Sequence, residues 1–294
     1  MSSNRRAAGN RFDQRSLILI SGKGGVGKSA VTAAVALHAH RRGQRVLAID
    51  VMGTGGLAVH LGVDRLEFRA RAIRPGLEAL AIDRAKALAE YLKVQMGIPQ
   101  FATLGPVARA FDALASTAPG VREVITLGKV LWEVRQDQYD LVVADCPPTG
   151  QLAGFLKAPT TIAQLVPAGR IRAQADWMTD LLSSRDRSEV FLVTIPEELP
   201  TVEAMETIEQ LDKDDVVGEP TVVANRVLTP LPTEAKGTGA VADAATLHRS
   251  LVRNQREWLG RLPPKIRLPF LFGLMTPGEV SARMADELES ELGQ

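Results

Sequence analysis

Short apolar runs with little polar alternation recur along the chain at 17–20, 46–49, 77–82, 141–144, 190–194, 221–224 and 266–270. Apolar character over so few residues, bounded by glycine, proline and charge, is the pattern of strands covered on both faces. Helix-favouring stretches separate them, beginning with the alanine-rich segment 30–40, which stops at Gly43 after the basic pair Arg41 and Arg42. This alternation predicts an α/β fold, a mostly parallel β-sheet flanked by helices. The widest spacing between strands, 83–138, holds helical stretches at 85–95, 107–115 and 121–135, broken by Gly97, Pro99, Pro119 and Gly120. It reads as a helical insertion within a single domain spanning 1–294, and long additions of this kind are often functional. Its apolar residues Leu92, Val94, Met96, Ile98, Phe101, Leu104, Phe111 and Leu114 either line a groove for a client or pack the insertion onto the sheet. Packing is the ordinary use of such a stripe. Residues 229–239, around Lys236, read as a surface loop.

Composition narrows the field without choosing a function. The 294 residues carry a net charge of +1, with 45% hydrophobic and 23% charged residues, as in an ordinary globular protein able to bury a large core. That balance gives no reason to expect nucleic acid as a partner. No apolar run approaches the roughly 18 residues that span a bilayer, so no integral membrane segment is expected. The arginines Arg5, Arg6, Arg11 and Arg15 read as a solvated tail, with contact to anionic lipid or nucleic acid as the alternative. With one cysteine, Cys146, the sequence offers neither an intramolecular disulfide nor an all-cysteine metal site. A cytoplasmic setting is expected.

The chemistry concentrates at residues 22–29, GKGGVGKS, which fit the phosphate-loop pattern G-x-x-x-x-G-K-[ST] between a predicted strand and a predicted helix. The segment Gly22, Lys23, Gly24, Gly25, Val26, Gly27, Lys28 and Ser29 would wrap backbone N–H groups around an anion, with Lys28 on the β- and γ-phosphates and the Ser29 hydroxyl on Mg2+. Lys28 already supplies that site's cation, so Lys23 is placed to serve a neighbouring subunit's nucleotide, which would make a dimer the active unit. Asp145 ends a predicted strand and opens DCPPTG at 145–150; a carboxylate there can hold Mg2+, and Gly150 leaves room for backbone near a γ-phosphate. Asp50, ending another strand, has the reach either to orient an attacking water or to make an outer-shell magnesium contact. Asn225 follows the strand run TVVA, where its amide can pair with the edge of adenine or make a local turn bond.

With these residues in view, the chain resembles the ArsA family, which includes arsenite-pump ATPases and the ATPases that target tail-anchored membrane proteins, within the deviant-Walker class shared with MinD and ParA. The likeness covers nearly the whole chain. Four stretches carry it: GKGGVGKS at 22–29, DCPPTGQLAGFLKAP at 145–159, IPEELPTVEAMETIEQL at 195–211 and VVANRV at 222–227. The resemblance implies a P-loop NTPase that binds ATP and Mg2+, with Lys23 as the signature lysine crossing a dimer interface. It further implies that Asp50 sits at the switch I catalytic position, that Asp145 is the switch II aspartate and that Asn225 reads adenine. The segment LPFLF at 268–272 is similar to the family's loop beside the base, which adds Pro269 and Phe270.

Two departures shape the functional expectation. Asp50 is followed by VMGTGG at 51–56 where the family usually continues D-P-A-H, and the C-x-x-C zinc motif of the eukaryotic targeting factors is absent. One thiol cannot gather the three sulfur ligands that As(III) needs. The expectation is therefore a dimeric ATPase whose nucleotide cycle opens and closes the dimer to handle a protein client or partner, a hydrophobic protein client being one option, with arsenite transport disfavoured. The alternatives are a MinD/ParA-like positioning switch, or a regulatory subunit in a heterodimer with a paralogous ATPase. Against the first stands the acidic segment SARMADELESELGQ at 281–294, since anionic lipid would repel it.

Overall fold

The computed structural model describes residues 16–94, 120–232 and 238–292. The helix expected at 107–115 and Lys236 lie outside them.

The described chain runs β1 (Leu17–Gly22), α1 (Lys28–Arg41), β2 (Val46–Asp50), α2 (Gly56–His60), β3 (Arg71–Arg74) and β4 (Leu77–Ala81). It continues through α3 (Arg84–Val94), α4 (Val121–Arg135), β5 (Leu141–Asp145), α5 (Thr149–Leu165), α6 (Arg170–Ser183), β6 (Ser188–Thr194) and α7 (Glu198–Asp214). The last elements are β7 (Thr221–Val227), α8 (Ala240–Arg261), β8 (Ile266–Pro269) and α9 (Pro277–Leu292). All eight strands form one sheet in the order β3-β4-β2-β5-β1-β6-β7-β8. Every pairing is parallel except β3 with β4. Each of the seven predicted strand runs is a strand. The eighth, β3, was not expected, because RAIR at 71–74 is largely exposed and polar and lacks the apolar run that marks the others.

Alternate residues of the central strands supply two separate cores. Ile18, Ile20, Val46, Ala48, Leu141 and Val143 face α1 and α9. Leu17, Leu19, Leu47, Ile49, Val142 and Ala144 face the opposite layer, with residues of α3 to α7. An apolar run whose side chains alternate between two covered faces needs no polar positions. Helix α1 is buried along residues 30–39, which explains its alanines, since a helix enclosed all round must be slim and apolar. In the expected insertion, Leu88 and Leu92 of α3 and Ile125, Leu127 and Leu131 of α4 join the second core. The described ends of the insertion therefore use their apolar residues for packing.

Strand order reverses at β1. Its neighbours are β5 and β6, and the chain leaves β1 for β2 beyond β5 before returning to build the other half. A crevice opens outside the carboxyl ends of the strands at such a point, and the loop from Gly22 to Lys28 sits there.

Candidate active site

The segments that follow β1, β2, β5 and β7 meet at this crevice. The phosphate loop leaves β1, and its last turn is set by close packing. A Cβ on Gly22 would stand 2.1 Å from the Val193 carbonyl oxygen, and one on Gly27, at φ +94°, would stand 2.5 Å from Asn225 Nδ2. Gly25 also has positive φ, at 86°. Val26 is buried, and α1 starts directly beyond, so its amino-terminal N–H groups and dipole face the loop. The Lys28 ammonium donates to the Lys23 carbonyl at 3.2 Å. Burial lowers the Lys28 pKa, and the charges of Asp145 and Glu203 oppose that fall.

The two predicted carboxylates stand side by side in register at the ends of β2 and β5. Asp145 accepts the Ser29 hydroxyl at 2.5 Å. Burial pushes the Asp145 carboxyl up to about 6 against the Ser29 hydrogen bond, with the Asp50 charge adding to the rise and Lys28 opposing it. A hydroxyl and a carboxylate in contact are an oxygen donor pair suited to a hard cation. Among the described residues no group of three or more His, Cys, Asp or Glu side chains forms a metal cage. Ser29 and Asp145 are the residues that would hold Mg2+, an ion that ordinarily keeps waters and substrate phosphate oxygens in its shell.

Asp50 is only 1% exposed, and its carboxylate is engaged by its own loop. Oδ1 accepts the Gly53 N–H at 2.8 Å and the Thr54 N–H at 3.4 Å, while Oδ2 accepts the Gly55 N–H at 2.9 Å. Gly53 and Gly55 have φ of 63° and 82°, and a Cβ on Gly56 would lie 2.8 Å from Ser29 Oγ. The sequence VMGTGG, which departs from the family pattern, is thus a glycine turn folded around Asp50 and closed against Ser29. Sequence reasoning noticed the departure and missed its use.

Asn225 is buried. Its Nδ2 donates to the Val26 carbonyl at 2.8 Å and its Oδ1 accepts the Arg226 N–H at 2.9 Å. In this arrangement the amide braces the phosphate loop and makes the local bond that the sequence left open. Pro269 ends β8 opposite Val227 of β7, and the Phe270 N–H donates to the Val227 carbonyl at 2.9 Å. The Phe270 ring is partly exposed, with its centroid 4.7 Å from that of Phe272. These two residues flank the strand that carries Asn225. A Cβ on Gly150 would meet nothing within 4 Å, so the backbone there is open to approach.

Lys23 lies at the mouth of the loop, and its ammonium is hydrogen-bonded to Glu203 Oε2 of α7. The other oxygen, Oε1, accepts the hydroxyl of Thr149, the first residue of α5. Sequence reasoning singled out neither Glu203 nor Thr149 for this role. Both lie within the stretches that carry the family likeness, but their meeting with Lys23 is a property of the fold.

Comparison with known proteins shows the family to which the chain belongs. The sequence model of the anion-transporting ATPase family, ArsA_ATPase, matches residues 15–172. ATPase BagA of Mycobacterium tuberculosis strain H37Rv is 36% identical over 228 residues, covering 71% of this chain and 64% of that protein. ATPase get3 of Schizosaccharomyces japonicus is 31% identical over 158 residues, 52% of this chain and 47% of that protein. ATPase GET3 of Phaeosphaeria nodorum is 30% identical over 157 residues, 51% and 48% respectively. The matched region thus spans less than two thirds of each of these relatives.

Proposed function

Because this chain belongs to the anion-transporting ATPase family, we propose that it is an ATPase that hydrolyses Mg-ATP as a dimer and uses the cycle to handle a protein client or partner. The observation that carries the reading is the convergence of Lys28, Ser29, Asp145 and Asp50 on one crevice at the reversal of strand order, with Lys23 at its mouth. Gly22 to Ser29 bind the phosphates through backbone N–H groups, and Lys28 exchanges the Lys23 carbonyl for a phosphate oxygen. Ser29 and Asp145 hold Mg2+, which supplies charge neutralisation at the phosphates when bound. Asp50 would orient the attacking water or make an outer-shell contact to Mg2+ once its carboxylate is freed from the N–H groups of the glycine turn. Asn225 then serves the adenine side of the crevice, with Pro269 and Phe270 beside it.

Arsenite is not assigned as cargo. The sequence has one cysteine, Cys146, which is buried and whose pKa is raised by that burial, so it is a poor thiolate ligand. The positioning-switch alternative asks for a free basic helix at a membrane. Helix α9 does not supply one, since it buries Met284, Ala285 and Leu288 in the α1 core and its acidic residues Asp286 and Glu289 pair with Arg41 and Arg42. No helix of the described residues is long and apolar enough to cross a membrane.

Steady-state hydrolysis of Mg-ATP tests the assignment. Lys28→Ala should lower kcat by about 10²-fold or more, the scale of removing one preorganised donor to developing charge. Lys23→Ala should lower kcat while leaving nucleotide affinity largely intact. Absence of both binding and turnover in the parent protein would refute the ATPase reading, and an unaltered rate in Lys23→Ala would remove the cross-dimer role.

A further inference from the structure

One carboxylate joins the phosphate loop to the segment after Asp145. Glu203 accepts a hydrogen bond from the Lys23 ammonium at Oε2 and one from the Thr149 hydroxyl at Oε1. These partners lie 180 and 54 residues away in sequence. Helix α7 presents Glu203 from a fixed position, since Pro200, Thr201, Ala204 and Thr207 on the same helix are buried. Burial disfavours the Glu203 carboxylate, but the bonds from Lys23 and Thr149 hold its pKa below the ordinary range. The same charge also acts on Lys28, so Glu203 stands among the cations of an anion site.

We propose that Glu203 is a positioning residue that keeps Lys23 in its own chain and ties it to Thr149, so that Lys23 is released to a second copy when nucleotide draws the segment 145–150 away. This rests on the two-chain ATPase reading. A phosphate and the Glu203 carboxylate carry the same sign of charge and compete for the same ammonium. Phosphate in the crevice therefore weakens the hold on Lys23, and movement of Thr149 removes the second bond that orients the carboxylate. Glu203 makes the release of Lys23 conditional on a change at the β5 end of the crevice.

Two measurements on the full chain test the link. The first is the Mg-ATP concentration for half-maximal association of two chains, by sedimentation velocity, in the parent, Glu203→Gln, Lys23→Ala and the double variant. Glu203→Gln should lower that midpoint roughly 3–10-fold, the size expected of a part-exposed, charge-assisted pair, and should have no further effect in the Lys23→Ala background. A structural role for Glu203 would shift both backgrounds equally, and that result, like an unmoved midpoint, overturns the proposal. The second is amide hydrogen exchange of residues 145–156 without nucleotide. It should accelerate about 3-fold or more in Glu203→Gln as the tether to Thr149 weakens; unchanged exchange also overturns the proposal. Thr149→Val, which removes the hydroxyl with little change of shape, should move both readouts in the same direction as Glu203→Gln. If the parent chain does not associate with Mg-ATP, the two-chain reading fails, and the exchange measurement alone decides whether Glu203 links the two segments.

Discussion

A Cβ on Gly22 would stand 2.1 Å from a backbone oxygen of β6, and one on Gly27 would enter the Asn225 amide. Neither neighbour is the flexible end of a long side chain. Gly24 differs, since a Cβ there would meet nothing within 4 Å. Gly22→Ala and Gly27→Ala should each lose roughly 2–4 kcal/mol of folding stability, whereas Gly24→Ala should stay within about 0.5 kcal/mol, as read by denaturant unfolding without nucleotide. The phosphate-loop pattern made all of these glycines visible in the sequence without separating those that the fold requires from those free to serve a ligand. Asp50 and Asp145 were legible because each ends an apolar strand run. The turn around Asp50 was not, because three N–H groups converging on one carboxylate leave no spacing rule. Glu203 was hidden for a similar reason: it reads as one more acid on an amphipathic helix until folding brings Lys23 to it.

Among the elements, α9 shows how the first and last parts of the described chain are joined. His38 of α1 stands 3.2 Å from Glu289, beside Arg42 and Arg41. His60 of α2 contacts the Ser281 hydroxyl at 2.9 Å and the Pro277 carbonyl at 3.0 Å. Burial lowers both imidazole pKa values, against Glu289 at His38 and against the Pro277 bond at His60. Below pH about 6.5 the unfolded chain then binds more protons at these residues than the folded one. The stability they contribute is complete above that pH and declines as pH falls through the depressed folded values. The melting temperature of nucleotide-free protein should fall between pH 7.5 and pH 5.5, by about 2–4 °C for each kcal/mol lost. A His38→Gln, His60→Gln double variant should show a smaller fall, and an identical pH dependence in the two proteins would refute the assignment. The helices themselves were largely readable: 121–135 coincides with α4, and 85–95 lies one residue from α3. What their composition did not disclose was which neighbour each would cover.

For the molecule as a whole, the proposal requires two chains, and native mass measurement in the presence of Mg-ATP checks it directly. A complex of twice the 31.7 kDa chain mass is the expected outcome for a homodimer. A complex with a second mass identifies a paralogous partner, and a single chain under saturating nucleotide refutes the two-chain reading. The mostly parallel sheet was legible because covered strands carry long-range information in a short apolar run. Its antiparallel border was not, because β3 has little to bury. That border restricts how copies can meet. Strand β3 is short and exposes Arg71 and Arg74, features that discourage pairing with another sheet. At the opposite margin the Arg267 N–H already donates to Glu291 of α9 at 3.0 Å, and Pro269 has no N–H to offer. Both margins are thus poorly suited to extending the sheet into a neighbour, which favours pairing through the rim that holds the nucleotide crevice. Two copies meeting there would share no continuous hydrogen-bonded ladder and could part after each turnover without unzipping a strand.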